Sequence, residues 1–454
     1  MHFPAQHFVM KNIIACRLLL LCVLALVLQG CGAANLMEAQ SQMRQSFVSG
    51  DVEQSRNLMK RFEQREVYRS NDRVLRDLEM GALLYYNGEW EESRQRLQEA
   101  EREIDRLFGI SVERNLRALV LNDAQLEYQG EDYEDVMINV FNALSFIHLN
   151  DLDAALVESR RISFKLENLA IRYDGLVESL SRRDTTEVDT SPGWERGSSN
   201  IEASAFGHYL GYVLNANQGR RDAARIEYER FRQVYRQHYG NWPAQRQASP
   251  ELQQRADAYP EPGNTLVLAF GGRAPEKRAR ELRIYSSDLS TYIKYAVPVL
   301  ESFDSRISRV EAVINDTLQV QLPLLDDFSR MAEDVFEVRK PIVYTRAIIR
   351  STLKFAGSKA AQRAVKSEYG EAAGMLTGIL GSLFTEVSEV ADLRGWQTMP
   401  GQLYGFTVDL PPGEHALRIR YLGRSGQLLN ETAHTVKRDS GTRDLSLYDT
   451  FYWN

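Results

Sequence analysis

Apolar and polar residues alternate with a helical period through the first half of the chain, from residue 37 to about residue 239. Apolar positions recur at spacings of three and four, the pattern that predicts amphipathic helices. Short polar breaks interrupt this pattern at 49–51, 87–89, 129–132, 149–151 and 217–220. A Gly or Asn in each break can take the left-handed conformation that ends a helix. We therefore predict a series of helical hairpins over 31–240, with a long polar loop at 181–200.

Small residues recur in pairs that are twelve positions apart on the predicted hairpins. The pairs are Gly81 with Ser93, Ala143 with Ala155, and Gly211 with Ala223. This pattern resembles tetratricopeptide repeats, in which two small residues let the helices of a hairpin pack closely. The first residues of the three pairs are 62 and 68 positions apart, so the period of about 34 is only approximate. The resemblance implies a tetratricopeptide-like array, and an irregular helical array is the alternative.

A period of two replaces the helical period from about residue 263 onwards. The alternation is clearest in TLQVQLP at 317–323 and HALRIRYL at 415–422. Strands are predicted at 264–270, 308–316, 317–323, 402–410, 415–422, 428–436 and 443–449. Short strands in this number favour a β-sandwich, with helices inserted at about 326–393.

These patterns together predict an α+β multidomain protein. A tetratricopeptide-like helical repeat domain occupies 31–240 and a linker occupies 241–262. A β-sandwich-like domain with the helical insertion occupies 263–454.

The N-terminus has the order of residues that is typical of a secretory signal peptide. Lys11 and Arg17 precede an apolar run at 18–28, which is shorter than the about 20 residues that a membrane-spanning helix needs. Residues 1–30 are therefore predicted to be a signal peptide, translated from Met1 or from Met10.

The end of this segment, LQGC at 28–31, resembles the lipobox of bacterial lipoproteins. The resemblance implies cleavage before Cys31 and attachment of a diacylglyceryl group to its sulfur, so that acyl chains anchor the protein to a membrane. Gly32 resembles the outer-membrane default, because lipoproteins of the inner membrane usually carry Asp at that position. The implied location is the periplasmic face of a Gram-negative outer membrane.

Composition and motifs exclude several kinds of binding and catalytic site. The formal net charge is −7, and removal of 1–30 takes away two cations and no anions, giving −9. An acidic chain is unsuited to nucleic acid. All three cysteines precede residue 32, so the processed chain has no disulfide and no cysteine-based metal site. No His-Glu-x-x-His, Gly-x-Ser-x-Gly or P-loop motif is present. We predict no catalytic residue, cofactor or metal.

Several residues on the predicted hairpins are candidates for binding a protein or peptide partner. The aromatic candidates are Tyr85, Tyr86, Trp90 and Tyr133, and the basic ones are Arg160 and Arg161. The two arginines suit a carboxylate, from a peptide terminus or from peptidoglycan. For the aromatic residues the alternative is a place in the core, and for the arginines it is ion pairing within the helix.

Two passages, at 133–161 and 391–421, resemble one family of uncharacterised bacterial proteins that carry a lipobox and tetratricopeptide-like N-terminal halves. Members of that family are often encoded beside lipoprotein activators of penicillin-binding proteins, which implies work near peptidoglycan synthesis and supplies no catalytic residue. We therefore expect a non-enzymatic scaffold or regulator of a cell-envelope machine. The alternative is an envelope hydrolase or carbohydrate-binding protein, with Trp396 and Tyr404 as a candidate aromatic platform.

Overall fold

The computed structural model describes most of the chain, with several gaps. The described ranges are 35–118, 126–183, 203–241, 262–286, 291–340, 343–344, 391–439 and 445–453. Cys31, the linker and most of the predicted loop and helical insertion lie outside the described residues.

The chain divides into two compact units, Met1–Ser70 and Asn71–Asn454. In the first unit, helix α1 spans 35–48 and helix α2 spans Val52–Gln64. Gly50 joins them with φ of 89°, and the Asp51 carboxylate accepts a hydrogen bond from the Gln54 amide at 2.9 Å. This aspartate satisfies one of the amide groups that a helix start leaves without a partner.

The second unit begins with six helices that pack as three consecutive pairs. The helices are α3 at Arg73–Tyr86, α4 at Trp90–Ala118, α5 at Asp132–His148, α6 at Leu152–Arg183, α7 at Ala205–Asn217 and α8 at Arg221–Asn241. Gly88, Asn150 and Gly219 lie between the members of each pair and have φ of 77°, 59° and 74°. The predicted polar breaks therefore end these helices in the left-handed conformation, as expected.

Gly81 is one position where the absence of a side chain is required. A Cβ at Gly81 would lie 2.6 Å from Cγ and Cδ2 of Leu97, which is fully buried on α4. Ser93 donates a hydrogen bond across the same contact to the Gly81 carbonyl at 2.7 Å. The first pair of helices can approach this closely only with glycine at this position.

Gly81→Ala is therefore expected to destabilise the second unit by about 1–3 kcal/mol, because overpacking outweighs the better helix propensity of alanine. In a Leu97→Ala background the same change has room and is expected to be neutral or stabilising. Urea denaturation of the four proteins of this double-mutant cycle measures the difference. An equal loss in both backgrounds would contradict the clash.

Ten strands follow the helices in the described residues, in three sheets. They are β1 at Thr265–Arg273, β2 at Glu276–Ser286, β3 at Thr291–Glu301, β4 at Arg309–Ile314, β5 at Leu318–Leu322, β6 at Leu324–Asp327, β7 at Pro400–Val408, β8 at Gly413–Leu422, β9 at Leu428–Arg438 and β10 at Ser446–Tyr452. The strand orders are β10-β1-β7-β6, β5-β4-β8-β9 and β2-β3, and the pair β1–β10 is parallel. A further helix, α9, is described over 328–340. The predicted mixed α+β fold, helices first and strands after, is confirmed.

The first sheet packs on the helices within the second unit. Phe141 on α5 lies 5.8 Å from Phe270 on β1, and Tyr209 on α7 lies 6.0 Å from Phe406 on β7, between ring centroids. Tyr209 also accepts a hydrogen bond from the Thr407 amide at 2.8 Å. As a result α3, α5 and α7 are buried along almost their whole length.

Candidate functional site

Two buried glutamates bind the segment 391–399, which lies before β7 and forms neither helix nor strand, to the helices. Glu134, in the first turn of α5, accepts a hydrogen bond from the Trp396 amide at 2.7 Å. Its other oxygen accepts from the Tyr128 hydroxyl at 2.7 Å and from the Glu131 amide at 2.8 Å. We call Glu79, Glu134, Arg394 and their partners the carboxylate junction.

Glu79 makes the equivalent contacts from α3. One of its carboxylate oxygens accepts from the Gln397 amide at 2.7 Å. The other accepts from the Thr398 amide at 3.2 Å and from the Thr398 hydroxyl at 2.8 Å. Residues 391–399 belong to no strand, so their amides have no ladder partners, and the two glutamates supply acceptors for the amides of Trp396, Gln397 and Thr398.

Burial raises the pKa of both carboxyls. The pKa of Glu134 rises to about 7, through burial first and repulsion by Glu131 second. The pKa of Glu79 also rises to about 7 through burial, although hydrogen bonds from Gln397 and Thr398 oppose the rise. A carboxyl group whose pKa lies near 7 is typical of a general acid or base. Here every oxygen of both groups accepts a hydrogen bond from this chain, so the geometry serves to hold 391–399 in place.

Arg394 is the cation of the junction. It binds Asp392 through two bonds, Nε to Oδ1 at 2.9 Å and Nη2 to Oδ2 at 2.7 Å. Its Nη1 donates to Asp72 at 2.9 Å and to the Leu126 carbonyl at 3.0 Å. Although burial opposes it, this guanidinium holds the pKa of Asp392 below its ordinary value. The arginine thereby joins 391–399 to the start of α3 and to the chain before α5.

Glu131 extends the ionic contacts to the strands and to α9. It binds Lys277, at the start of β2, and Arg339 of α9, whose Nη1 lies 2.5 Å from Oε2. Lys277 also donates to the Arg394 carbonyl at 3.1 Å. Helices, sheet and α9 therefore meet at one cluster of alternating charges.

The structure buries Tyr85 and Tyr86, which favours the alternative of a place in the core over binding of a partner. The Tyr85 hydroxyl donates to the Asp449 carboxylate on β10. The Tyr86 hydroxyl donates to the Thr398 carbonyl at 3.0 Å, and its ring lies 4.6 Å from that of Phe451. The chain's own first sheet covers the helix face on which a partner was expected.

Trp90 lies beside the same contacts and is half-buried. Its ring stacks on that of His148 at 4.1 Å and 3°, and His148 Nε2 lies 3.2 Å from Asp449 Oδ1. Tyr85 and His148 thus both contact the Asp449 carboxylate, and Trp90 packs against His148.

The other predicted aromatic candidates are buried. Tyr133 is buried at the start of α5. Trp396 and Tyr404 are also buried, and each bonds within the chain, to Thr398 and to Gln402. The prediction of an aromatic platform for sugars is therefore wrong.

The two basic candidates on α6 differ from each other. Arg160 is exposed. Arg161 Nη2 lies 2.8 Å from Glu101 on α4, and its Nη1 lies 3.3 Å from Glu158. Arg161 therefore takes part in ion pairs within the fold, and Arg160 remains open to a partner.

Sequence reasoning did not single out the residues of the carboxylate junction. One signal for Glu134 is the pair Glu131 and Glu134, which forms a capping box at the start of α5. A signal for Glu79 is its place inside the apolar run of α3, where a lone acid requires buried donors. The junction also brings together the two family-like passages, since Glu134 belongs to 133–161 and Trp396 to 391–421.

Comparisons with protein-family models, with curated proteins and with solved structures find no match to this chain. Within the described ranges, no group of three or more His, Cys, Asp or Glu side chains is placed to hold a metal ion. The helices of those ranges include none that is both long and apolar enough to cross a membrane. The class of protein is thus given by its fold alone, a mixed α+β protein with helices before strands.

Proposed function

We propose that this protein is a lipid-anchored lipoprotein on the periplasmic face of the outer membrane. The ending LQGC directly after the apolar run at 18–28 supports the anchor at Cys31. The protein acts there as a non-enzymatic scaffold or regulator of a cell-envelope machine, with peptidoglycan synthesis as the leading candidate. The family resemblance of 133–161 and 391–421 supports this assignment.

The proposed fold is a degenerate tetratricopeptide-like array followed by a sandwich-like pair of sheets. The helix pairs α3–α4, α5–α6 and α7–α8 support the array, together with the close contact at Gly81. The two four-stranded sheets support the sandwich. In this fold the second helix of each pair presents the surface that remains for a partner.

One observation carries the binding function, namely the apolar outer face of α6. Val157, Phe164 and Ile171 are 53%, 65% and 71% exposed. Large apolar side chains grouped on one face are typical of a protein–protein contact. Exposed Arg160 lies on the same face and adds a positive charge for recognition.

The proposal is tested by affinity purification from detergent-solubilised envelopes with four baits. They are the wild-type protein, Cys31→Ser, Phe164→Glu and the control Ile226→Glu, which changes an exposed apolar residue on α8. We expect wild type and Ile226→Glu to recover the same envelope protein and Phe164→Glu to lose it. We expect Cys31→Ser to leave the membrane fraction.

Recovery of the same abundant proteins by all four baits would overturn the scaffold proposal. Release of muropeptides from purified peptidoglycan by the wild-type protein would overturn the non-enzymatic assignment.

A further inference from the structure

The apolar face of α6 has a spacing that is symmetric about its central residue. Phe164 lies seven residues after Val157 and seven before Ile171, and all three are exposed. Seven residues make about two helical turns and rise about 10.5 Å, so the three side chains form one stripe about 21 Å long. We call Val157, Phe164 and Ile171 the α6 stripe.

Charges flank the centre of the stripe with opposite sign on its two sides. Arg160 lies four residues before Phe164, and Glu167 lies three residues after it; both are exposed. The stripe is therefore apolar along its length, basic towards its N-terminal half and acidic towards its C-terminal half.

We propose that the α6 stripe binds the same stripe of a second copy of the chain, with the two helices antiparallel. This inference rests on the proposed function, since it names the partner for the surface that carries it. Around a two-fold axis at Phe164, the two phenylalanines meet and Val157 of one copy lies opposite Ile171 of the other. The same axis brings Arg160 of one copy close to Glu167 of the other, on both sides of the centre. Such self-complementarity is what a two-fold interface requires.

The charges select the antiparallel arrangement. A parallel pair in the same register would place Arg160 against Arg160 and Glu167 against Glu167. Like charges across a helix contact are unfavourable, and opposite charges set the orientation of helix pairs. A partner of a different kind has no need of the symmetry about Phe164.

The test uses single cysteines in the full chain, with Cys16, Cys22 and Cys31 replaced by serine and the protein held in mild detergent. No native cysteine then remains. Mild oxidation is expected to link Phe164→Cys to itself. Val157→Cys and Ile171→Cys are each expected to stay unlinked, because their own Cα atoms are about 21 Å apart across the axis, beyond the about 7 Å that a disulfide spans. A mixture of these two variants is expected to give the mixed disulfide.

Two further variants test the chemistry of the contact by analytical ultracentrifugation. Phe164→Glu is expected to raise the dissociation constant of the dimer at least about tenfold, as for a central aromatic anchor. Arg160→Glu and Glu167→Arg are each expected to weaken the dimer, and the double exchange to restore it. The control Ile226→Cys is expected to form no disulfide.

Several results would overturn the inference. They are self-linked Val157→Cys and Ile171→Cys, equal linking at Ile226→Cys, and a monomer that gives no disulfide at any position. If the protein is a monomer but Phe164→Glu still loses an envelope protein in the purification above, self-association fails and the scaffold function stands.

Discussion

Replacing Arg394 by alanine is expected to lower the unfolding free energy of the unit Asn71–Asn454 by about 3–5 kcal/mol, the range for breaking a buried ion pair. The side chain of Arg394 is 8% exposed, and that of its partner Asp72 is 6% exposed. Without the guanidinium, the buried carboxylate of Asp72 and the partly buried carboxylate of Asp392 both lose their charged partner. The Leu126 carbonyl loses a donor as well.

Urea denaturation followed by tryptophan fluorescence measures this loss. All five tryptophans lie beyond residue 70, so the signal reports on the second unit. Arg394→Lys keeps the charge but cannot bind Asp392 through two parallel bonds, and we expect a smaller loss than for alanine.

The matched control is Arg102→Ala. Arg102 and its partner Glu99 are 67% and 57% exposed, and exposed pairs contribute at most about 1 kcal/mol. Equal losses for Arg102→Ala and Arg394→Ala would show that the ionic contacts of the junction contribute no more than surface pairs.

The sequence predicted those helices and strands that are marked by a local pattern, either a helix-ending residue or an alternation of apolar and polar residues. Gly88 and Asn150 mark helix ends because glycine and asparagine adopt the left-handed conformation more readily than other residues. β8 was predicted because apolar and polar residues alternate over 415–422, and the structure buries every second side chain from 415 to 421. β2, β3 and β6 were missed. β2 is dense in charge (EKRARELRIYS), and β6 has only four residues, so neither shows a clear period of two.

The site could not be predicted in the same way, because its contacts join distant parts of the chain. Glu79 and Thr398 are 319 positions apart, and Tyr85 and Asp449 are 364 apart. Nothing near Tyr85 in sequence shows that β10 will cover it. Isolated acids inside apolar helices do show that buried donors must exist, but they do not show which segment supplies them.

Stability should fall as the pH rises from about 4.5 to about 7, because of the raised pKa of Glu79 and Glu134. Each carboxyl has an ordinary pKa of 4.5 and a folded-state pKa of about 7. Between these values the folded chain binds more protons than the unfolded chain, so the free energy of unfolding decreases with pH. The decrease is complete above about 7 and is on the order of 3 kcal/mol for each group acting alone.

Glu134→Gln removes one of the two carboxyls that take up these protons, so its effect measures the contribution of Glu134 alone. The amide is neutral at every pH but replaces one acceptor oxygen with a donor, which faces the Glu131 amide or the Trp396 amide. We therefore expect some loss of stability at all pH values, and the slope rather than the level is the readout. Relative to wild type, the variant should gain about 1.4 kcal/mol per pH unit within the window.

Denaturation curves at pH 5, 6, 7 and 8 for wild type, Glu134→Gln and the control Glu414→Gln measure the slopes. Glu414 is 66% exposed, and its removal should leave the slope unchanged. Asp326, whose burial raises its pKa to about 6, contributes a slope of the same sign and is common to all three proteins. If Glu134→Gln ran parallel to wild type, Glu134 would be ionised throughout this range. The donors from Tyr128, Glu131 and Trp396 would then outweigh the cost of burying its charge.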